Sequence, residues 1–471
     1  ILMGNGIIDV GAGSTLTNQG TLRPGASVGA LSITGNLTMT GTSVTEIEIQ
    51  SPGTTPGTDF DVINVTGTAT LGGALNVLHL SGFTPAVNQT FQAINAATVI
   101  GPFATINPPV GSDYTVAYNP ANARLTRLLA AGAVEWDGNS DADGDNISWS
   151  DPLNWSNDAA PTNTSDVQIP ELLGAGEHTI TVTGAQNAKS VVMFGNDTIS
   201  IPSGSLTVTN TFSATNGTLS IAGGSLLGST NWTVKNLAVS SGTLGGSGNI
   251  DVAAAFNWTG GTMSGPGTMT LANGATGTIG GTLVLDQRTL TNNGIISYTS
   301  GGFFGTTLQL NNGAVFNNPG TFKFVAGGQG IESFAGTGTF NNTGTLQNAY
   351  ASGGPGYAFR NSGGTLGFQN TGGTLDSGVG LLEIGVGGTH SGTMTLVNNG
   401  VRFAGGTHVF SGANFGGTGT LNLAGAAFVL DNTTYDKSIS LTGGTVSIST
   451  SATIPSSASI RSCSSPKCSA P

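Results

Sequence analysis

The stretch Gly217-Thr218-Leu219-Ser220-Ile221 decides the fold, because its opening tripeptide, Gly-Thr before an apolar residue, recurs along the chain. The glycines of the other copies lie at positions 242, 261, 281, 320, 344, 364, 392, 419 and 444, and Gly305-Thr306-Thr307-Leu308 is a looser copy. The intervals between copies cluster in the low to mid twenties. A repeat of that length indicates an array in which each unit packs mainly on its neighbours.

The repeats consist of short alternating runs separated by corners. Runs such as Thr218-Leu219-Ser220-Ile221 and Leu421-Asn422-Leu423 have the period of a strand with one buried face. Steps such as Asn292-Asn293-Gly294 tolerate the positive φ of tight corners, and no segment has the helical period. The sequence therefore predicts an all-β fold: an elongated right-handed parallel β-helix, or β-solenoid, with about eleven to thirteen coils between residues 170 and 450.

The composition agrees with stacked coils. The chain has 471 residues, of which 77 are Gly and only 8% are charged, against roughly 25% in an ordinary soluble domain. Stacking places like residues about 4.8 Å apart, so it penalises like charges and favours ladders of Asn and Thr. The net charge of −12 disfavours nucleic acid and anionic membranes, and no apolar run approaches the ~20 residues of a membrane span. We expect no nucleic-acid partner and no membrane insertion.

The N-terminal part of the chain carries a more specific signature. The stretch from Gly20-Thr21-Leu22-Arg23-Pro24-Gly25 to Leu37, with Thr45-Glu46-Ile47-Glu48-Ile49 after it, resembles the repeat that closes the passenger solenoids of bacterial autotransporters and very large surface proteins. The likeness continues through Asp59-Phe60-Asp61-Val62-Ile63-Asn64-Val65 and Ala69–Val77 to Phe91-Gln92-Ala93-Ile94. The resemblance implies the terminal coils and cap of a secreted structural solenoid on a bacterial cell surface, with no catalytic residue.

A second solenoid begins after a junction rich in Trp and Asp. Trp136, Trp149 and Trp155 lie within twenty residues, and their segment resembles the opening of solenoids in large bacterial surface proteins. Bulky aromatic residues suit an N-terminal cap, because the first coil otherwise exposes its core. We therefore predict a β-rich cap and junction between two solenoid segments. The predicted parts are terminal coils of a first solenoid (1–50), its end and cap (51–132), the junction and N-cap (133–169), a second solenoid (170–455) and a Ser/Pro/Cys tail (456–471).

The junction contains a candidate calcium loop, Asp137-Gly138-Asn139-Ser140-Asp141-Ala142-Asp143-Gly144-Asp145. Alternating oxygen ligands around a Gly turn suit calcium, which accepts six to eight oxygens at flexible angles. Counted from Asn139, the loop begins like an EF-hand, but its twelfth position is Ser150 and the nearest carboxylate, Asp151, comes one place late. The predicted structural calcium ligands are Asp137, Asn139, Asp141, Asp143 and Asp145. The alternative is an acidic turn that stays solvated.

Enzymatic activity is not expected. Parallel β-helices host polysaccharide lyases and hydrolases, which need carboxylates or basic residues converging on one face. The acids and bases of the second solenoid are dispersed in sequence, with no two convincingly at the same coil position: Asp251, Asp286, Glu332, Asp376 and Glu383, and Lys235, Arg288, Lys323, Arg360 and Arg402. The four histidines, His79, His178, His390 and His408, are interpreted as lone surface or corner residues. The polar corner formed by Asp431, Tyr435, Asp436 and Lys437 is not interpreted as an active site.

The sequence therefore predicts an extracellular structural or adhesive solenoid. Its expected partners are a second copy, stacked head to tail into a fibre, or other components of the cell surface; membership of one giant chain is an equal alternative. Cys463 and Cys468 lock such a joint, form a local bridge or belong to an accidental tail. Another alternative is a polysaccharide-binding module with Trp232, Trp258, Phe303 and Phe304 as platforms. Ice binding is disfavoured because the Thr-x-Thr pairs are unevenly spaced and give no single flat ladder.

Overall fold

The computed structural model describes most of the chain as two compact units. The described residues are 1–51, 53–80, 83–109, 112–138, 144–170, 178–299, 306–327, 329–350, 355–378, 380–398, 400–435, 439–450, 452–453 and 460–462. Unit 1 comprises Ile1–Thr179 and Ala188–Asp197, and unit 2 comprises Ile180–Asn187 and Thr198–Pro471. Together they contain about 19 turns of parallel stacked coil, and no described residue lies in an α-helix. The predicted all-β solenoid is confirmed.

The strands are short and follow one another closely along the chain. The first fifteen are Leu2–Gly4 (β1), Gly6–Asp9 (β2), Thr15–Asn18 (β3), Thr21–Pro24 (β4), Ala30–Thr34 (β5), Asn36–Met39 (β6), Val44–Ile49 (β7), Val62–Thr70 (β8), Ala74–His79 (β9), Thr90–Ile100 (β10), Thr105–Asn107 (β11), Ser112–Asn119 (β12), Asn122–Leu129 (β13), Ala133–Glu135 (β14) and Asp166–Ile169 (β15). A single 3₁₀ turn, Pro152–Asn154, lies between β14 and β15.

The next strands are Thr179–Thr181 (β16), Ala185–Ala188 (β17), Ser190–Met193 (β18), Thr198–Ile201 (β19), Ser205–Val208 (β20), Phe212–Gly228 (β21), Trp232–Gly245 (β22), Ile250–Trp258 (β23), Gly261–Ser264 (β24), Thr268–Leu271 (β25), Thr276–Ile279 (β26), Leu283–Asp286 (β27), Thr289–Asn292 (β28), Ile295–Tyr298 (β29), Thr306–Asn311 (β30), Ala314–Asn318 (β31) and Thr321–Phe324 (β32). The last are Gln329–Ser333 (β33), Thr337–Asn342 (β34), Thr345–Asn348 (β35), Pro355–Asn361 (β36), Thr365–Thr371 (β37), Thr374–Asp376 (β38), Leu381–Ile384 (β39), Gly388–Val397 (β40), Val401–Ala404 (β41), Thr407–Gly417 (β42), Leu421–Ala424 (β43), Ala426–Asp431 (β44), Thr433–Tyr435 (β45), Ile439–Leu441 (β46), Gly444–Ile448 (β47), Ala452–Thr453 (β48) and Ile460–Ser462 (β49).

Unit 1 stacks its coils in two parallel sheets. One has the order β1-β4-β7-β9-β11, and the other has the order β12-β13-β10-β8-β5-β2 with β3 and β6 attached. Alternate residues point inward, so side chains such as Ile33, Ile47, Leu75 and Phe91 have no exposed surface. Among the described strands, β10, β12 and β13 form antiparallel ladders, and isolated antiparallel bridges join Gly4 to Gly25 and Ile49 to Phe60. This hairpin follows the parallel coils and turns the chain towards β14, which pairs in parallel with β15.

Unit 2 keeps its register over many coils although the coils differ in length. Ten inward positions stack one on the next, and they are Ile199, Leu219, Leu237, Phe256, Gly277, Ile296, Phe322, Leu346, Leu375 and Leu396. Among these stacked partners, the shortest sequence offset joins Leu219 to Leu237, and the longest joins Leu346 to Leu375. Longer coils therefore place their additional residues in the corners between strands, and the strands stay aligned from coil to coil.

Stacking also orders the aromatic residues inside unit 2. The rings of Phe316 and Phe340 stack with centroids 4.8 Å apart, and those of Phe340 and Phe368 stack at 6.1 Å. Trp232 and Trp258 lie in the same core and are 2% and 0% exposed. Large aromatic side chains bury the most apolar area for each ordered residue, which stabilises a chain this rich in Gly.

A ladder of buried asparagines runs along one inner corner, and we call Asn292, Asn318, Asn342 and Asn370 the Asn ladder. The Nδ2 of each of the first three donates to the Oδ1 of the next member, at 2.8, 2.7 and 2.7 Å. Asn292 and Asn318 also donate to the carbonyls of Thr321 and Thr345. All four side chains are completely buried, and each of their Nδ2 groups is hydrogen-bonded, whereas Oδ1 of Asn292, at the start of the ladder, has no partner among the described residues.

A buried guanidinium ties three consecutive coils together. Arg288 has no exposed surface, and it donates to the carbonyls of Gly246, Gly248 and Ser264. Gly246 has a φ of 102°, and a Cβ there would lie 1.8 Å from the carbonyl oxygen of Gly228 in the preceding coil. The corner therefore requires Gly so that its backbone can approach both its neighbour and the Arg288 fork.

Candidate functional site

The predicted calcium loop is described at its two ends. Asn139, Asp141 and Asp143 lie outside the described residues, whereas Asp137 and Asp145 lie inside them. Oδ1 of Asp145 accepts from the backbone N–H of Ile147 at 2.8 Å and of Ser148 at 2.7 Å. Burial acts to raise the pKa of Asp145, but hydrogen bonds from Ser148, Asn154 and Ile147 outweigh it and hold this pKa well below its usual range. Asp145 is therefore an anion that organises the end of the loop.

Asn154 joins the two ends of this loop. Its Nδ2 donates to Oδ1 of Asp145 at 2.7 Å, and its Oδ1 accepts from the N–H of Asn146 at 2.8 Å. Its backbone carbonyl accepts from the N–H of Asp137 at 3.0 Å. In the described part of the chain, no group of three or more His, Cys, Asp or Glu side chains could hold a metal ion. Asn154 thus holds both Asp137 and Asp145, an arrangement that we call the Asn154 clamp. The calcium site itself stays a prediction.

The three tryptophans of the junction pack beside that clamp. Trp136, Trp149 and Trp155 are completely buried, and Trp155 makes edge contacts with Trp136 at 5.0 Å and with Trp149 at 4.9 Å. The indole Nε1 of Trp155 donates to the carbonyl of Trp149 at 2.8 Å. Because this cluster is apolar and closed, it supplies packing rather than a binding surface.

A carboxylate cluster lies in unit 1, where Arg23 on β4 meets Glu48 on β7. Glu48 and Asp61 are completely buried, and Arg23 forms an ion pair with Glu48. The two carboxylate oxygens of Asp61 accept from the N–H groups of Gly29, at 2.7 Å, and Glu48, at 2.9 Å. Burial raises the pKa of Asp61 to about 7, although these two hydrogen bonds lower it. The cluster ties Arg23 and Gly29 to residues of the following coil and leaves Arg23 partly exposed.

The prediction that no two charged residues of the second solenoid share a coil position is wrong for two pairs. Glu332 lies directly beside Arg360 on the next coil, and Glu383 lies beside Arg402 on the next, and each couple forms an ion pair. The two couples have different sequence intervals, which hides their common register, because the intervening corners differ in length. The second carboxylate oxygen of Glu332 accepts from the hydroxyl of Ser362 at 2.6 Å. Both glutamates are nearly buried while the arginines stay partly exposed.

The arrangement of these charges bears on catalysis. General acid–base hydrolysis requires two carboxyl groups facing a shared substrate. Each of these glutamates instead points at its own arginine. Burial raises the pKa of Glu383, and the charge of Arg402 opposes that rise. The two pairs are therefore suited to fixing the outer face of neighbouring coils.

Two other interpretations from the sequence need correction. Trp232 and Trp258, considered as polysaccharide platforms, lie inside the core, because they have the same parity as the inward Val234 and Phe256. Phe303 and Phe304 lie outside the described residues. His390 and His408, interpreted as lone surface or corner residues, are completely buried and hydrogen-bonded to each other at 3.1 Å. His79 is also paired, with the hydroxyl of Tyr114 at 2.7 Å.

Single threonines, rather than Thr-x-Thr pairs, form a ladder in unit 2, as the stacking of like residues favours. Thr321, Thr345, Thr374 and Thr395 stack in register on four successive coils. Variable corners again explain why their sequence spacing is uneven. The outward residues two positions further along the same strands are Lys323, Gln347, Asp376 and Val397. This face therefore mixes charged and apolar residues. The polar corner near Asp431 is only partly described, because Asp436 and Lys437 lie outside the described residues. Asp431 itself accepts from Ser411 and Thr450.

Comparisons with known proteins add no relative. No family model, curated protein or solved structure matches the chain. Among the described residues, no helix has the length and apolar character needed to cross a membrane. The architecture is that of a repeat protein built from a β-solenoid.

Proposed function

We propose that this chain is a structural or adhesive solenoid segment of a secreted bacterial cell-surface protein. The observation that supports this most is how the polar groups of unit 2 are used. Its buried amides and Arg288 bond to neighbouring coils, and Glu332 and Glu383 pair with arginines on the next coil. A surface whose charges neutralise one another between coils suits a scaffold better than a site that turns over substrate.

The proposed partners are a second copy of the chain and other components of the cell surface. The first coil presents exposed apolar side chains, with Ile1 89%, Met3 50% and Ile7 74% exposed. Its strands β1 and β2 pair on one side with β4 and β5. A second copy stacked on this coil would cover these side chains and pair with β1 and β2. The autotransporter-like stretch at residues 20–49 supports a place at the bacterial surface.

Light scattering and electron microscopy of the purified 471-residue chain test this proposal. Concentration-dependent filaments, with every subunit in the same orientation, would support end-to-end assembly. A monodisperse monomer at high concentration, with calcium present, would exclude end-to-end assembly and favour the alternative that the chain is a segment of one giant protein. Products released from acidic or neutral polysaccharides would overturn the structural function and revive the enzyme alternative. Retention of intact polysaccharide on the immobilised chain would favour a binding module.

A further inference from the structure

Unit 2 contains a buried pair of histidines that the proposed scaffold function does not use. Nε2 of His390 and Nδ1 of His408 lie 3.1 Å apart, and both side chains are completely buried. Two neutral imidazoles make this hydrogen bond with one as donor and the other as acceptor. Two imidazolium ions cannot, because both nitrogens would then carry a proton. The pair is therefore compatible only with at least one neutral ring.

The surroundings of the pair are aromatic. The ring of His390 lies 5.1 Å from that of Phe403 and 4.8 Å from that of Phe410, and His408 stacks on Phe428 at 5.5 Å. Asn370, the last member of the Asn ladder, lies directly beside His390 on the preceding coil. Its Nδ2 donates to the carbonyl of Gly373. Nδ1 of His390 has no hydrogen-bond partner among the described residues. A proton added here would thus bring a charge into an apolar site.

We propose that the His390–His408 pair is an acid-sensitive latch that holds coils 388–430 closed at neutral pH and releases them locally below about pH 6. Release is local because each coil of a solenoid packs mainly on its neighbours, so a few coils open while the rest stay folded. This property lies beyond the scaffold function, since a scaffold needs no response to acid.

The direction of the effect follows from linkage. Burial lowers the pKa of His390 to about 3, with His408 adding to the effect, and burial lowers that of His408 to about 4 against a contact with the Gly405 backbone. In the open state both rings titrate near 6.5. The stability that the pair confers is thus complete above about pH 6.5 and falls as the pH drops towards 4. In that window, each imidazole raises the opening equilibrium about tenfold per pH unit.

Other ionisable groups on the packed strands do not reproduce this behaviour. Glu383 on β39 has a raised pKa through burial, so the folded state takes up its proton first and acid stabilises it. Hydrogen bonds from Thr450 and Ser411 lower the pKa of Asp431 on β44. The stability that this carboxylate contributes is therefore lost only below about pH 4. Arg402 on β41 forms an ion pair with Glu383. Asp376 on β38 is held by Gln347, Gly378 and Asn398.

Amide hydrogen exchange of the full chain, read by mass spectrometry and corrected for intrinsic rates, tests the latch between about pH 7 and pH 5. We expect protection of β40 and β42 to fall by at least about a hundredfold, while β25 and β28 keep theirs. The variant His390→Phe with His408→Phe places rings between existing phenylalanines and should remove the pH dependence. His178→Gln, in unit 1, is the control and should retain it.

A second measurement on the unsubstituted protein guards against a variant that fails to fold. Carbon-13 labelled imidazoles report each protonation state by magnetic resonance. Burial also lowers the pKa of His79 to about 4, so the resonances of His390 and His408 are assigned as the two that the double variant lacks. The latch requires both to stay neutral in the folded protein at pH values where free histidine is charged. If these two resonances titrate near pH 6.5 while β40 and β42 stay protected, the proposal is overturned. Equal loss of protection in the unsubstituted chain and in the double variant overturns it as well.

Discussion

Asn318 donates through Nδ2 to Oδ1 of Asn342 at 2.7 Å, and Asn342 donates in the same way to Oδ1 of Asn370. Each amide is thus both donor and acceptor along one direction of the solenoid. Hydrogen bonds arranged in a chain polarise one another, which strengthens the series inside a low-dielectric core. Removing a middle member breaks two bonds rather than one.

The first prediction concerns that middle member. Asn342→Ala leaves the amide of Asn318 without its acceptor and the side-chain carbonyl of Asn370 without its donor, at a cost of about 1–3 kcal/mol for each buried group. The urea midpoint of unit 2 should fall accordingly. The control is Asn341→Ala, since the neighbouring Asn341 is half-buried and donates one bond, to Asn317 at 2.9 Å. Equal losses from the two variants would contradict the importance of the buried ladder.

The second prediction concerns Arg288. Lysine keeps the charge but cannot spread donors over the carbonyls of Gly246, Gly248 and Ser264, so Arg288→Lys should destabilise unit 2 by about 2–4 kcal/mol. Arg124→Lys is the control, because Arg124 makes an exposed bond to Gln92, and its effect should stay below about 0.5 kcal/mol. Thermal and urea unfolding measure both. An Arg288→Lys variant as stable as the control would show that a point charge suffices at this corner.

The third prediction is a pH dependence in unit 1. Because burial raises the pKa of Asp61 to about 7, the folded state holds this proton more tightly than the unfolded state. The corresponding stability is present in acid and is lost as the pH rises from about 4 through 7, by at most about 1.4 kcal/mol per pH unit. Asp61→Asn should remove this slope, and the lost hydrogen bond to one N–H should lower stability in acid, where the carboxyl of the unsubstituted protein is protonated.

Asp59→Asn is the matched control for that experiment. Hydrogen bonds from Ser51 and Thr55 lower the pKa of Asp59, so its contribution is lost only as the pH falls below about 4. Between pH 5 and 8 this variant should keep the slope of the unsubstituted protein. A slope that survives in Asp61→Asn would assign the titration to another group.

The fourth prediction is that the loop from Asp137 to Asp145 binds calcium. Neutralising clustered carboxylates favours the closed loop, so calcium should slow proteolysis within residues 133–169 and chelation should restore it. Asp141→Ala with Asp143→Ala should abolish the calorimetric heat, while Asp158→Asn, at an exposed position outside the loop, should retain it. Absence of heat at millimolar calcium would leave the loop as a solvated turn whose end is held by Asn154.

The sequence predicts the fold well because the fold depends on local alternation. Thr218-Leu219-Ser220-Ile221 becomes part of β21 with Leu219 and Ile221 buried, as its period of two requires. The same parity rule places Trp232 with Val234 on the inward side, so the sequence already contains the signal for its burial. A large aromatic residue surrounded by small polar ones suggests a surface platform only when the parity of the strand is ignored.

Register across coils is the part that the sequence conceals. His390 pairs with Phe410, and His408 with Gly388, so the two histidines are diagonal neighbours rather than stacked ones. Their short sequence interval looks incompatible with a shared site only if every coil has the same length, and the corners make that length variable. The pairs Glu332–Arg360 and Glu383–Arg402 are hidden for the same physical reason: a side-chain contact depends on which strands align, and loop length carries no information about alignment.

Variable corners also give the chain a way to change without refolding. The short step from Leu219 to Leu237 and the long step from Leu346 to Leu375 occur within one unbroken stack, so the strands on either side of a corner do not sense how much polypeptide lies between them. Insertions and deletions at corners are therefore nearly neutral for the stack, because long loops add closure entropy only slowly. Such a chain can acquire or discard surface loops, and with them new epitopes or ligands, at a rate that its core residues would never tolerate.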